Sequence, residues 1–321
     1  MLHNVMLNPT LKILIIDEVE SLLISGLISA NFEVDYLPQL SKEEIYKCIS
    51  DYEGLIVRSK ILLTKELLLE AKKLKFIARA GSGMDNIDLE FATARKINCI
   101  HAGEANADAV GEHTIGMLLM LLNNLAIADK EVRNKIWERE ANRGTELSGK
   151  TIGIIGYGNT GKSLAKKLNG FDVKVLAYDK YLQNYSDSNA TEASMNEIYE
   201  NAEIISFHIP LTNETRMMVD EKFLKNFSKK ICLLNLCRGK ILKLSALIEG
   251  IKAGKIIGAA LDVLENEKLS TLNEQQQTDF DFLIDSKKVV FSPHIAGWTF
   301  ESYRKISELL LEKITNLELS K

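Results

Sequence analysis

Three glycines, Gly156, Gly158 and Gly161, stand in the run "TIGIIGYGNTGKSLAKKL" as G-x-G-x-x-G, between an apolar stretch and an amphipathic one. At a strand-to-helix turn the first glycine permits the tight bend. The second lets the backbone approach a pyrophosphate, and the third lets helix and strand pack closely. The helix amino terminus then offers unpaired N–H groups and a favourable dipole to phosphates. Asp179 ends the next apolar run, 18 residues past Gly161. A carboxylate there accepts hydrogen bonds from an adenosine ribose and repels a 2′-phosphate, so NAD is expected over NADP.

Other polar residues end or closely follow apolar runs. Arg58, Gly81 and Asn106 do so in the first part of the chain; His208, Arg238, Asp262 and His294 join Asp179 in the second. Ligands of open parallel sheets bind beyond the carboxyl ends of the strands. Each residue alone also fits a turn or cap; together they would line a cleft between two sheets. Arg238 offers paired donors for a carboxylate. An alcohol that gives a hydride to nicotinamide must also lose its hydroxyl proton, and a histidine suits that work near neutral pH. A carboxylate beside the histidine favours the imidazolium and fixes its tautomer. Glu265 and Glu267, on the loop after "ALDV", are the candidates. The chain has no G-x-S-x-G elbow, and its histidines lack metal-ligand spacing, so neither a hydrolytic triad nor zinc is expected.

Two arrays of elements would position these groups. Short apolar runs alternate with helix-length amphipathic segments, the pattern of βαβ units and parallel sheets. The first array has strands expected at 12–17, 32–37, 54–58, 74–80 and 97–102, most of them separated by helical stretches such as 42–50, 64–72 and 88–96. A long helix is expected over about 107–129, followed by a charged connection or arm containing Trp137. The second array has six expected strands, at 151–156, 174–179, 203–210, 231–237, 258–264 and 289–294, the count of a full dinucleotide-binding domain. Residues 265–285 read as a polar surface excursion. Residues 300–319 read as an amphipathic helix, with Tyr303, Ile306, Leu310, Ile314 and Leu317 on one face.

The bulk properties narrow the partners. A net charge of -4 over 321 residues gives no general attraction for nucleic acid or anionic membranes. The longest apolar run, 115–122, is far short of the roughly 20 residues that span a bilayer. The amino terminus lacks the basic region and cleavage site of a signal peptide. The four cysteines form no C-x-x-C pair, which fits reduced structural thiols in a cytoplasm.

"GIIGYGNTG", "YD", "HIPLT", "NLCRGK", "GAALDVLENE" and "SPHIAG" occur in the order seen in the D-2-hydroxyacid dehydrogenase family, which the chain resembles over nearly its whole length. "VRSKILLTKELL", "IARAGSGMDNIDL" and "GEANADAVGEHT" look like that family's substrate-domain motifs. Within the family the likeness is to short D-3-phosphoglycerate dehydrogenases, since the stretch after His294 leaves no room for a carboxy-terminal regulatory domain. The resemblance implies two doubly wound α/β domains. A Rossmann-type NAD domain, 106–297, would be inserted in a flavodoxin-like substrate domain made of 1–105 and 298–321, with the crossovers as a hinge.

It also implies a catalytic trio of Arg238, Glu267 and His294. The family's glutamate comes five residues after the aspartate of "LDV", which selects Glu267 over Glu265. Cofactor contacts would come from Gly156, Gly158, Asn159, Thr160, Gly161, Asp179, His208, Pro210, Thr212, Leu236, Cys237, Asp262 and Gly297. Substrate contacts would come from Arg58, Ser59, Ser82, Gly83 and Asn106. Arg139 resembles an arginine that in some relatives reaches a neighbouring subunit's substrate phosphate, so a homodimer is expected. No metal is expected. Competing expectations are a small 2-keto-acid reductase, acting on hydroxypyruvate, glyoxylate or pyruvate, and an NAD-sensing corepressor-like binding protein. A formate dehydrogenase fits less well, because formate has no hydroxyl proton for a histidine to take.

Three departures stand out. Lys268 replaces the usual proline after the glutamate, Cys237 replaces a smaller alanine or serine, and Trp298 replaces a smaller residue. His113, His101 and His3 read as structural or solvent-facing.

Overall fold

The computed structural model describes residues 11–317. His3 lies outside them. Two compact units divide the chain: Met1–Asn106 with Thr299–Lys321, and Ala107–Trp298.

In the first unit, strands β1 (Lys12–Ile15), β2 (Glu33–Tyr36), β3 (Gly54–Val57), β4 (Phe76–Arg79) and β5 (Asn98–His101) alternate with helices α1 (Ser21–Ser29), α2 (Lys42–Cys48), α3 (Lys65–Glu70) and α4 (Leu89–Ala94). All pairings are parallel, in the order β2-β1-β3-β4-β5. This is the flavodoxin-like order. The central strands are buried on both faces, which is why "GLIV" and "FIAR" read as continuous apolar runs rather than alternating ones.

The second unit begins with helices α5 (Ala107–Leu122) and α6 (Leu125–Arg133). It continues through β6 (Thr151–Ile155), α7 (Asn159–Leu168), β7 (Lys174–Tyr178), β8 (Thr191–Glu192), α8 (Met195–Asn201), β9 (Ile204–Phe207) and α9 (Glu221–Lys225). It closes with β10 (Ile231–Asn235), α10 (Leu244–Lys252), β11 (Ile256–Leu261), α11 (Glu274–Asp285) and β12 (Val289–Phe291). Its parallel sheet runs β12-β11-β10-β9-β6-β7-β8. Counted from β6 as first, that is 3-2-1-4-5-6 with a seventh strand added, a Rossmann arrangement whose order reverses at β6. Helix α12 (Phe300–Thr315) belongs to the first unit and packs on α1, burying Ile306, Leu310 and Ile314.

Three expectations need correction. The helix expected over 107–129 is two helices bent by 64°, because Asn124 takes a left-handed conformation (φ 53°). Its side chain donates to the Arg143 carbonyl instead of continuing the helix. Residues 265–285 are not irregular throughout. Asn273 and Gln276 form a capping box that starts α11, a helix with little apolar face to announce it. The sheet of the second unit has seven strands where six are expected, because the two-residue β8 is too short to show in the sequence. Helix α1, between β1 and β2, buries its own Leu23 and Leu27. Among the described residues, no single helix is long and apolar enough to cross a membrane.

Candidate functional site

The glycine turn after β6 is built as its spacing implies. Gly156 has φ +96°, and a Cβ there would lie 2.4 Å from the His208 carbonyl oxygen. A Cβ on Gly161 would meet the Gly156 carbonyl oxygen at 2.2 Å, whereas one on Gly158 would meet nothing within 4 Å. Two glycines are therefore required by protein packing, and the third leaves open space beside the start of α7. Gly158 caps α7 without a side-chain hydrogen bond, so the amides of the first turn, at Asn159 and Thr160, keep their capacity for an anion. Asp179 closes the other side of the turn. Its carboxylate accepts N–H bonds from Tyr157 (2.9 Å), Tyr181 (2.9 Å) and Leu182 (3.2 Å). These residues suit a dinucleotide: an open phosphate cradle with a fixed carboxylate at its rim.

His208 follows β9 and is buried. Its Nε2 lies 2.8 Å from Ser206 Oγ and its Nδ1 3.2 Å from Thr160 Oγ1, which ties β9 to the first turn of α7. Burial pulls the imidazole pKa down to about 4. The unfolded chain takes a proton there near pH 6.5 and the folded chain does not. Stability is therefore full above about pH 6.5 and falls as pH drops towards 4. We expect Tm to fall over that window and His208→Gln to flatten the fall; an unchanged slope would reject this origin. Pro210 and Thr212 sit on the exposed turn that follows, where Thr215 Oγ1 donates to the Pro210 carbonyl.

The remaining groups converge on the same sheet edge because the hydrogen-bond ladder runs past the strand ends. His208 N donates to Ile155 O (2.7 Å), Asp262 N to Asn235 O (3.1 Å), Ser292 N to Leu261 O (3.1 Å) and His294 N to Asp262 O (2.7 Å). After β10, the fully buried Asn235 shapes the loop "LCRG". It donates to the Arg238 carbonyl (3.0 Å) and accepts from Cys237 N (3.3 Å) and Sγ (3.2 Å). Leu236 is buried and Arg238 half-buried, its Nη1 donating to the Cys237 carbonyl (2.6 Å). Burial pushes the Cys237 thiol pKa up, so little of it is thiolate near neutral pH.

After β11, the two glutamates separate cleanly. Glu265 is half-buried and accepts from Leu244 N (2.6 Å), supplying the cap that α10 lacks from its own N-cap residue. Glu267 lies 3.0 Å from His294 Nδ1. The imidazole Nε2 has no protein partner among the described residues. Asn266 holds the loop between them, accepting from Lys268 N (3.0 Å) and donating to Thr271 Oγ1 (3.1 Å). Lys268 thus takes the usual proline's place without displacing the glutamate from the histidine.

His294 itself has φ +57°, in the left-handed region. For a residue other than glycine that conformation costs on the order of 1–3 kcal/mol, and it persists only where the surroundings enforce it. Asp262 supplies much of the enforcement. Its carboxylate is 1% exposed and accepts from Ile295 N (2.9 Å), Ala296 N (2.9 Å) and Ser292 Oγ (2.5 Å). Sequence reasoning missed two members of this cluster: Ser292, and His113 of α5, whose Nε2 lies 2.9 Å from Ser292 Oγ. A gap of 179 residues separates that pair, and no local spacing could link them.

The residues expected to meet substrate stand at the carboxyl end of the first unit's sheet. Arg58 follows β3, half-buried, with its guanidinium 5.5 Å from the centre of the Tyr303 ring and its N–H on Asp17 (2.6 Å). Ser59 and Ser82 are exposed, and Gly83 is half-buried. The Oδ1 of Asn106 is buried without a partner. His101 ends β5 and accepts from Gly103 N (3.0 Å). In the second unit, Arg139 and Trp298 are exposed, and Gly297 lies between buried Ala296 and Trp298. Among the described residues, no cluster of three His, Cys, Asp or Glu side chains could hold a metal ion.

The family model of the D-isomer specific 2-hydroxyacid dehydrogenase NAD binding domain matches residues 115–296, more than half of the chain. The chain belongs to the D-isomer specific 2-hydroxyacid dehydrogenase family. A D-3-phosphoglycerate dehydrogenase of Archaeoglobus fulgidus is 32% identical over 96% of this chain, which spans 57% of that protein. A hydroxypyruvate reductase of Thermotoga maritima is 33% identical over 86% of this chain and 88% of its own. Among solved structures, D-lactate dehydrogenase from Aquifex aeolicus, complexed with NAD and lactic acid, is 25% identical. It superimposes with a TM-score of 0.81 over 94% of each chain. For this family member the second unit is thereby an NAD-binding domain.

Proposed function

We propose that this chain is an NAD-dependent D-2-hydroxyacid dehydrogenase acting on 3-phosphoglycerate, which it oxidises to 3-phosphohydroxypyruvate, the first committed step towards serine. The observation that carries the dehydrogenase reading is the His294–Glu267 pair at 3.0 Å, on the sheet edge that also carries the dinucleotide turn and Arg238. NAD, which the glycine turn, Asn159, Thr160 and Asp179 would hold, would supply the acceptor for the hydride leaving C2 of the substrate. Arg238 binds and orients the carboxylate beside that carbon. His294 Nε2 takes the hydroxyl proton, and Glu267 on Nδ1 keeps the ring in the tautomer that can accept it and stabilises the imidazolium formed. Asp179 selects NAD by its charge. The first unit is the substrate domain, where Arg58, Ser59, Ser82, Gly83 and Asn106 would bind the anion.

Arg58 and Arg139 support a phosphorylated substrate, as does the likeness to phosphoglycerate dehydrogenases. The equal likeness to a hydroxypyruvate reductase supports a second reading, reduction of a small unphosphorylated 2-keto acid. We expect kcat/KM with NADH to be higher for phosphohydroxypyruvate than for hydroxypyruvate, and Arg58→Ala to erase most of the difference. A higher value for hydroxypyruvate would move the assignment to the second reading. We also propose a cytoplasmic homodimer, for which exposed Leu125, Val132, Ile136 and Trp137 offer apolar surface.

A further inference from the structure

We propose that His113, acting through Ser292, is a positioning residue for His294; this rests on the dehydrogenase reading above. Asp262 is the hub. Both of its carboxylate oxygens accept from backbone amides of the loop that follows His294, and its own carbonyl accepts from His294 N. The loop is therefore wound around one buried side chain. Ser292 lies on the other side of that carboxylate, with Oγ 2.5 Å from Oδ1.

A hydroxyl has one proton. Asp262 lies nearer to Ser292 Oγ than Met117 Sδ does (3.3 Å) and is the stronger acceptor, so Ser292 donates to Asp262. His113 Nε2, 2.9 Å from the same Oγ, must then carry hydrogen and donate to it. The direction is fixed: His113 donates to Ser292 and Ser292 to Asp262, whose carboxylate also accepts from the amides of Ile295 and Ala296 and whose carbonyl accepts from His294 N. Helix α5 thus anchors the left-handed turn at His294, a conformation with an energetic cost for a residue other than glycine. Without the anchor, the loop can relax towards an ordinary conformation and swing the imidazole off the substrate hydroxyl. His113 and Ser292 act through Asp262 rather than on the reacting atoms.

The test compares variants of the whole chain. Misplacement of a reacting group by about 1 Å costs on the order of 100-fold in rate. Ser292→Ala and His113→Leu are each expected to lower kcat by about 10- to 100-fold, with KM for NADH little changed. Ser292→Thr keeps the hydroxyl and His113→Gln keeps a donor near the place of Nε2, so both recover most of the loss. The solvent deuterium isotope effect on single-turnover reduction should rise in Ser292→Ala, because proton transfer becomes limiting. Full kcat in Ser292→Ala and His113→Leu, with His294→Ala inactive, would overturn the positioning role and leave the dehydrogenase reading standing. Equal losses in all four variants with an unchanged isotope effect would overturn it too, by making the residues structural only. A wild-type protein that binds NADH but reduces no 2-keto acid removes the dehydrogenase reading and this proposal together.

Discussion

His294→Ala is expected to lower kcat by about 10²- to 10⁴-fold, the range that a positioned general acid or base contributes. NADH binding should stay nearly intact, because the open phosphate cradle and Asp179 belong to the β6 and β7 ends of the sheet, away from the β12 exit. The alanine variant also removes a side chain from a left-handed position, so loop relaxation could add to the loss. His294→Asn separates the two effects, since asparagine tolerates that conformation but cannot serve as a base near neutral pH. Both variants should lose about 10²- to 10⁴-fold in kcat and both should bind NADH. Turnover at the wild-type rate in His294→Asn would sink the assignment of the proton carrier.

The second large effect belongs to Gly239. A Cβ there would lie 1.8 Å from the Leu264 carbonyl oxygen, 2.0 Å from its carbon and 2.7 Å from Glu265 N. All three are backbone atoms, so no rotamer change relieves the clash. The loop carrying Arg238 and the loop carrying Glu265 and Glu267 touch at this point, and Gly239→Ala must push them apart. Overpacking of this kind costs about 1–3 kcal/mol and occasionally more, so we expect about 3 kcal/mol here. For a unit of this size that lowers Tm by about 6–12 °C. We also expect kcat to fall by about 100-fold, since Arg238 and Glu267 both shift. A Gly239→Ala protein with unchanged Tm and kcat would show that the two loops are not in register as described.

Much of this organisation could be read before any coordinates. The central strands, buried on both faces, write themselves as unbroken apolar runs; the half-exposed β2 and β5 show shorter apolar signals, and the two-residue β8 shows none. The glycine spacing, the acid 18 residues beyond and the polar residues at strand ends all fall at the carboxyl edge of the second sheet. What escaped was decided by caps, backbone conformation or long-range contact. Asn124 breaks a helix by adopting a left-handed φ that asparagine tolerates but does not announce. Helix α11 is held by its capping box and by Gln–Asp pairs such as Gln277–Asp281 at 2.7 Å, and buries only Leu283, so periodicity could not reveal it. Periodicity leaves Glu265 and Glu267 equivalent; the family resemblance selects Glu267, and the folded loop gives Glu265 to the α10 amide and Glu267 to His294. The His113–Ser292–Asp262 chain exists only because β11, β12 and α5 are neighbours in space.

The central claim is that this sheet edge transfers a hydride and a proton to and from a 2-hydroxy acid. Its most direct measurement is NADH consumption with a panel of phosphohydroxypyruvate, hydroxypyruvate, glyoxylate and pyruvate, repeated with NADPH. Turnover of at least one member is expected, fastest with phosphohydroxypyruvate and faster with NADH than with NADPH. Saturable NADH binding without turnover on any of the four would contradict the claim and favour a binding protein that senses NAD.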